Sequence, residues 1–438
     1  MKYRYRSDEE MKDSGVEWIG KIPKDWEVSK NRYIFSLKRK EINESDDTTV
    51  LSLTTTGIKV KKNLSFGKST ESYIGHQLVY PGDLVFTPRD FDQTPILSGV
   101  SEFYGCISNL YFVLKCKDDI VNRFVNYFWW GLKYKVNFFK NFSYGIRYSY
   151  NYDQFKELLF LNPMYNEQVK IADFLDEKTS NFDNIISKKE KLIEKLEEAK
   201  KSLISEVVTG KVKVVKNGDD FEILKREDSE MKDSGVEWIG KIPKDWEVKR
   251  IKYSFDIKKN IAGELGYDVL SVTQSGIKIK DITKNGGQLS MDYSKYQIVE
   301  IDDFIMNHMD LLTGFVDCSK FKGVTSPDYR VFRLKDYNNC KEYYNYILQS
   351  CYYNRIFYSL ARGVSGMGRW RLQTETFKNF IVPMPKIEEQ ERIAKFIFKK
   401  TNDIDILKNK LKINIEKLKE AKQALISEAV TGKIEILD

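Results

Sequence analysis

Histidine is almost missing from this chain, with only His76 and His308 in 438 residues. They stand far apart, without Cys or acidic neighbours at ligand spacing, so neither a metal site nor a Ser-His triad has support. Cysteine is scarce too: Cys106, Cys116, Cys318, Cys340 and Cys351 are odd in number and follow no C-x-x-C spacing. Reduced thiols in a cytoplasmic protein are the simplest account. No apolar run reaches the roughly 18 residues of a membrane span. The opening MKYRYRSDEEMKDSG lacks the apolar core of a signal peptide. Charge of one sign is not in large excess: a net charge of +8 and a pI near 8.8 are compatible with a polyanionic partner without demanding one.

Catalytic signatures are equally thin. Gly15-Val-Glu-Trp-Ile-Gly20-Lys21 spells a phosphate-loop pattern, as does Gly235 to Lys241. Ile-Pro follows the lysine in both, where magnesium binding needs Ser or Thr, so a tryptophan-anchored structural segment is expected instead. Asn162-Pro163-Met164-Tyr165 is similar to the amine-holding tetrad of adenine methyltransferases. Its counterpart, Met384-Pro385-Lys386-Ile387, keeps only the proline, and no glycine-rich cofactor loop precedes either. The chain reads as a recogniser, not an enzyme, with no cofactor or metal of its own.

What the chain does have is duplication. Met11–Val28, MKDSGVEWIGKIPKDWEV, recurs letter for letter at Met231–Val248, an offset of 220 (231 − 11). EAKKSLISEVVTGK from Glu198 recurs as EAKQALISEAVTGK from Glu420, an offset of 222 (420 − 198). So long a period means two whole domains, since solenoid repeats run to roughly 20–50 residues. The two copies agree at their ends and diverge over residues 30–150 and 249–372, a shared frame around different interiors. Each copy opens with W-I-G-K-I-P-K-D-W and continues through short strands bounded by turn residues. Candidate strands are residues 50–54, 84–87 and 111–114, with 269–273, 304–306 and 329–332 in the second copy. Aromatic-rich helices are expected near 122–139 and 341–360, their rings in the core. Each copy ends in a long helix.

Along the first long helix, Ile171, Leu175, Lys178, Phe182, Ile185, Lys189, Leu192, Leu196, Ala199 and Leu203 alternate by four and three; adding 222 gives the same spacing from Ile393 to Leu425. This a/d seam predicts a coiled coil, with Asn414 setting register if it faces its partner. Gly210 and Gly432 stand as stop signals. Residues 167–203 would make about 55 Å of helix. An antiparallel pairing is favoured, because the globular segment between the helices can then run back along them.

The fold class expected is α+β, with two pseudo-repeated globular domains joined by two long helices in an intramolecular antiparallel coiled coil. The boundaries are 1–160 for the first domain, 161–211 for the central helix, 212–230 for a connector, 231–382 for the second domain and 383–438 for the C-terminal helix. In the connector, Val-Lys-Val-Val offers a segment for local strand pairing. Candidate nucleic-acid contacts fall on polar and basic loops: Thr54, Thr56, Lys59 and Lys61 in the first copy, Thr273, Lys278 and Lys280 in the second. Arg147 and Tyr148 align with Arg369 and Trp370, and Arg371 follows; Arg89, His308 and Arg362 complete the set. Arg is the commonest bidentate reader of guanine, and Arg and Lys hold phosphates.

The order of parts resembles the specificity subunits of type I restriction–modification systems. The residues carrying it are the openings Trp18–Trp26 and Trp238–Trp246, the Pro163…Glu167-Gln168 and Pro385…Glu389-Gln390 entries to the long helices, and the Leu-Ile-Ser-Glu…Thr-Gly-Lys exits. The resemblance spans essentially the whole chain. It implies two target-recognition domains, each reading half of a split double-stranded DNA site, and helices that space them and hold two methyltransferase (M) subunits, with restriction (R) subunits joining. S-adenosylmethionine, ATP and magnesium would then belong to those partners. The divergent interiors predict an asymmetric target, with half-sites about one helical turn (~34 Å) apart. The alternative is a cytoplasmic coiled-coil protein–protein scaffold without DNA binding.

Overall fold

The computed structural model describes residues 1–438 except 38–40, 63–71, 92–95, 142, 144–147, 219, 283–291, 337–338, 362–369 and 438. It divides into two compact units. The first comprises Met1–Glu190 with Lys412–Asp438, the second Lys191–Leu411. Each is therefore composite: the tail of the second repeat completes the first unit, and the tail of the first repeat belongs to the second.

In the first unit, Ser98–Val100, Leu84–Phe86, Phe112–Cys116 and Phe35–Leu37 lie in that order in an antiparallel sheet. Strand pleating sends alternate side chains to opposite faces. Leu84 and Phe86 join the aromatic core under the helix Asn122–Val136, where Phe86 meets Trp129, Phe139 and Phe155 at ring-centroid distances of 5.0, 5.3 and 4.9 Å. Val85 faces the other way and packs with Leu53, Ile58 and Val79, beneath the hairpin Leu51–Thr54/Gly57–Val60. The second unit repeats the plan with Phe255–Lys258, Arg330–Leu334, Phe304–Met306 and Val316–Cys318, in that order. Phe304 and Met306 face the helix Lys341–Tyr353, and Ile305 faces the hairpin Leu270–Thr273/Gly276–Ile279. The helix aromatics are core, as expected: Phe124, Phe128, Tyr343 and Tyr344 are fully buried.

The long helices are α1 (Tyr165–Val208) and α2 (Ile387–Val430), 44 residues each. Their entry motif is structural. Gln168, buried beside the strand end, donates to Pro163 O (2.9 Å) and accepts from Val121 N (2.9 Å); Gln390 does the same with Pro385 O (2.9 Å) and Cys340 N (3.1 Å). The preceding glutamate ties down the tryptophan of the opening segment. Glu167 accepts from Trp26 Nε1 (2.8 Å) and pairs with Arg6 (2.7 Å); Glu389 accepts from Trp246 Nε1 (2.9 Å) and pairs with Arg226 (3.0 Å).

Both helices stop in a Schellman arrangement. Gly210 N bonds Val207 O and Lys211 N bonds Glu206 O; Gly432 N bonds Ala429 O and Lys433 N bonds Glu428 O. Gly432 has φ +69°, and a Cβ there would lie 2.4 Å from the Pro23 ring; at Gly210 (φ +72°) it would lie 2.5 Å from the Pro243 ring. Each exit thus packs onto the opening segment of the other repeat. The strand after it follows suit. Ile434–Leu437 pairs with Lys2–Tyr5 in the first unit, and Val212–Asn217 pairs with Asp220–Lys225 in the second. The stretch read as a connector therefore folds as a hairpin over 212–225, with the Val-Lys-Val-Val run in its first strand.

Inside each unit α1 and α2 pair antiparallel. In the second, Lys200 bonds Asp405 (2.7 Å) and Glu197 bonds Lys408, one number falling as the other rises. In the first, Asp183 pairs with Lys422 (2.7 Å). The seam departs from the expected phase. The expected Ile171, Leu175, Ile393, Ile397 and Leu411 are buried, but so are Thr179, Ile186, Thr401 and Ile415, whereas Ile185, Leu192 and Leu407 are 44% exposed and Asn414 faces solvent. Both helices open with steps of four, four and three (171, 175, 179, 182; 393, 397, 401, 404). That eleven-residue spacing is close to the natural α-helical period and brings Ile186 and Ile415 into the seam one residue later than a strict heptad puts it, while Leu411 keeps its heptad place. Asn414 accordingly sets no register.

Candidate nucleic-acid interface

The predicted polar clusters sit on equivalent hairpins. Thr54 Oγ1 accepts from Thr56 N (3.3 Å) and donates to Gly57 O (2.7 Å); Thr273 Oγ1 accepts from Ser275 N (3.2 Å) and donates to Gly276 O (2.8 Å). These hydroxyls close the turns. Thr56 is exposed at the tip, its hydroxyl 3.2 Å from that of Thr54. Lys59 and Lys278 alternate with the buried Ile58 and Ile277, so both ammonium groups project into solvent. Lys61 and Lys280 follow at the strand ends, half-buried, their backbone N–H groups bonded to Val50 O (2.8 Å) and Val269 O (2.7 Å).

Arg89 is half-buried in the turn after Leu84–Phe86, and Arg371 is exposed. Tyr148 has φ 44°, packs against the first core and lies 5.4 Å below Lys140 Nζ, which gives it a structural role. Arg147, Arg362 and Arg369 lie outside the described residues. His308 departs from expectation. It is 7% exposed, with its backbone carbonyl bonded to Leu372 N (3.0 Å), and Nδ1 has no hydrogen-bond partner among the described residues. Burial, followed by the charges of Arg330 and Arg371, pushes its pKa down to about 3. It is a neutral core residue, not a surface cation.

That burial has a pH consequence. With the folded pKa depressed below the ordinary 6.5, the unfolded chain takes the proton first as pH falls. Stability from a neutral His308 is complete above pH ~6.5 and drains away towards pH ~3, by about 2 kcal/mol at pH 5. His308→Gln should remove this dependence: urea titrations of wild type and variant at pH 7 and pH 5 should differ in their stability gap by about that amount. The same gap at both pH values would show that His308 is protonated without cost.

Sequence reasoning missed two residues beside His308. Arg330, 4% exposed, donates to Leu372 O (3.1 Å) and Thr374 Oγ1 (3.3 Å) and lies 4.5 Å over the Phe377 ring. Desolvation lowers its pKa to about 10. Asn307 accepts from Met309 N (3.2 Å) and Asp310 N (3.3 Å), fixing the turn after Phe304–Met306. An asparagine two residues before a turn is a readable signal; a buried arginine spanning two strands and a helix is not. Asn307, Met309, Lys280 and Tyr329 line a cleft of about 370 Å³. It is walled by the hairpin carrying the predicted lysines, and its polar lining and volume suit a base edge better than an apolar ligand.

Residues 243–417 match the family model described as the type I restriction modification DNA specificity domain. A type I restriction enzyme specificity subunit, MjaVIII, of Methanocaldococcus jannaschii is 26% identical over 440 residues, covering 95% of this chain and 94% of that protein. A putative MjaX specificity subunit from the same organism is 25% identical over 448 residues, covering 95% and 96%. A solved chain from a study of assembly and conformational transition in a type I restriction–modification system superposes with a TM-score of 0.62, covering 94% of this chain and 99% of that one. At 12% identity that likeness is one of fold.

Proposed function

We infer that this chain, a member of the type I restriction–modification specificity-subunit family, is the DNA-reading, non-catalytic subunit of a methyltransferase–endonuclease complex. Each unit reads one half of an asymmetric, bipartite duplex target, and α1 and α2 set the gap between the halves. The helices also hold two methyltransferase subunits, to which restriction subunits add. S-adenosylmethionine, ATP and magnesium act on those partners, and the complex works in the cytoplasm.

One observation carries this reading: two units share a frame to the level of single hydrogen bonds, yet their interiors diverge. Trp26–Glu167–Arg6 and Trp246–Glu389–Arg226 are the same lock. A protein-binding scaffold with two equal ends has no use for that divergence, whereas a reader of two unlike half-sites requires it. Half-site binding would combine lysine contacts to phosphate, which position, with side-chain contacts to base edges, which specify.

Methylation mapping in a cell carrying this gene and its partner genes tests it. The expected pattern is one two-part target with unlike halves and a fixed gap. A palindromic target, or no modification dependent on this gene, would overturn the reading.

A further inference from the structure

The two units can be compared position by position where their hydrogen bonds coincide. Tyr150 N bonds Pro88 O as Leu372 N bonds His308 O, which sets Thr87–Phe91 over Asn307–Leu311. Lys61 N bonds Val50 O as Lys280 N bonds Val269 O, and Tyr111 N bonds Ser108 O as Tyr329 N bonds Ser326 O. Around the cleft of the second unit, Lys280, Ser326 and Tyr329 therefore have identical counterparts in Lys61, Ser108 and Tyr111. The lining changes in the turn, where Thr87 becomes Asn307 and Arg89 becomes Met309, and at two wall positions, where His76 becomes Tyr296 and Leu110 becomes Asp328.

This turn is a rigid mount. In the first unit Arg89 stands between buried Pro88 and Phe91, the latter 4% exposed, and next to Asp90, held at φ 61°. A non-glycine residue in that region is strained, and such strain persists only where the surroundings enforce it. In the second unit Met309 stands between His308 and Leu311, 7% and 2% exposed. Residue 89, or 309, is thus presented outward from a turn clamped on both sides. Arg89 forms no ion pair among the described residues, although carboxylates are plentiful in the chain.

We propose that this turn reads one base pair in each half-site, Arg89 selecting guanine in the half bound by the first unit, and Met309 with Asn307 selecting thymine in the half bound by the second. The chemistry is specific. A guanidinium donates two parallel hydrogen bonds to guanine O6 and N7. Thymine offers a methyl group, which the Met309 thioether accommodates, and O4, an acceptor. Asn307 Oδ1 is already taken by two backbone N–H groups, so the amide can only donate, from Nδ2. Asn307 therefore offers no acceptor to the N6 hydrogens of adenine. Asp328 lies in the cleft wall where the first unit has Leu110, and its carboxylate repels phosphate. With Asp310 in the same lining, two carboxylates stand against the one ammonium of Lys280, which favours a base edge over a phosphate.

The inference rests on the function proposed above, and the test separates the two. The intact chain with its methyltransferase partner is used to select targets from a randomised duplex library. Wild type should return two half-motifs; returning none would overturn the proposed function itself. Arg89→Met should lose roughly 5- to 150-fold discrimination for guanine at one position of one half-motif. The other half-motif should remain intact, which also shows that the complex is folded. Met309→Arg should gain guanine at one position of the other half. That residue is only half-buried, so the second arm stands even if the first variant fails to fold. Wild-type motifs returned unchanged by both variants, or a weakening uniform over all sequences, would sink the assignment.

Discussion

A half-chain of residues 220–438 should self-associate into a dimer, whereas the full chain needs no second copy. The second unit requires Lys191–Val208 from α1 and the strand Val212–Asn217, and a half-chain lacks both. A second copy can supply them from α2 and the strand Ile434–Leu437. At the 222-residue offset, Ile204, Val208 and Leu203 are replaced by Ile426, Val430 and Leu425, and only Val207 shrinks, to Ala429. The ion pairs make the expectation sharper. Lys422 stands in for Lys200 and keeps the bond to Asp405, but Lys419 stands in for Glu197 and sets a lysine against Lys408. Each such reversal costs about 0.5–1 kcal/mol and occurs twice in a symmetric dimer. Lys419→Glu should therefore tighten the dimer by roughly tenfold at low salt. Sedimentation of the half-chain and its K419E variant measures both effects. A monomeric, folded half-chain would mean that the borrowed segments contribute nothing, and the dimer, if it reads DNA, should prefer an inverted repeat.

Glu389→Ala should destabilise the second unit by about 3–5 kcal/mol, the cost of leaving a buried charge without its partner. Arg226 is 7% exposed and Glu389 12%, so water cannot take over the carboxylate's role. Trp246 Nε1 loses its acceptor in the same step. Glu389→Gln keeps an oxygen for the indole and should cost clearly less. Pulsed hydrogen exchange read on peptides around Trp246 during urea unfolding gives the midpoint of this unit in each variant. Equal midpoints for alanine and wild type would mean that Arg226 is solvated and the lock carries no energy.

Local features were legible because local rules generate them. The strand Leu84–Phe86 announces itself by Pro81-Gly82-Asp83 before it, and the helices end at Gly210 and Gly432 as their φ values require. Aromatic density alone places the residues near Phe124 and Tyr343 in the core. Phase was less legible: Thr179 and Thr401 occupy seam positions that a search for apolar letters passes over, which displaced Ile185, Leu192 and Asn414. His308 illustrates a further limit. Its polarity suggests a surface loop, but its neighbours Met306 and Leu311 draw the chain inward, and nothing local encodes Arg330 beside it. The Thr54 and Thr273 hydroxyls suit ligand contact by residue type, yet a threonine two residues before a turn tip competes first for its own backbone. The tie of Trp26 to Glu167 spans 141 residues, beyond any pattern of short range.

The meeting of Lys2–Tyr5 with Ile434–Leu437 has an evolutionary side. It pairs antiparallel as Val212–Asn217 does with Asp220–Lys225. A chain rewired by joining Leu437 to Lys2 and opening the turn between Asn217 and Asp220 would keep every one of these strand neighbours. Either reading segment can come first in the gene. New specificities are then within reach of simple cut-and-paste at the MKDSGVEWIGKIPKDWEV borders, with the supporting frame left untouched.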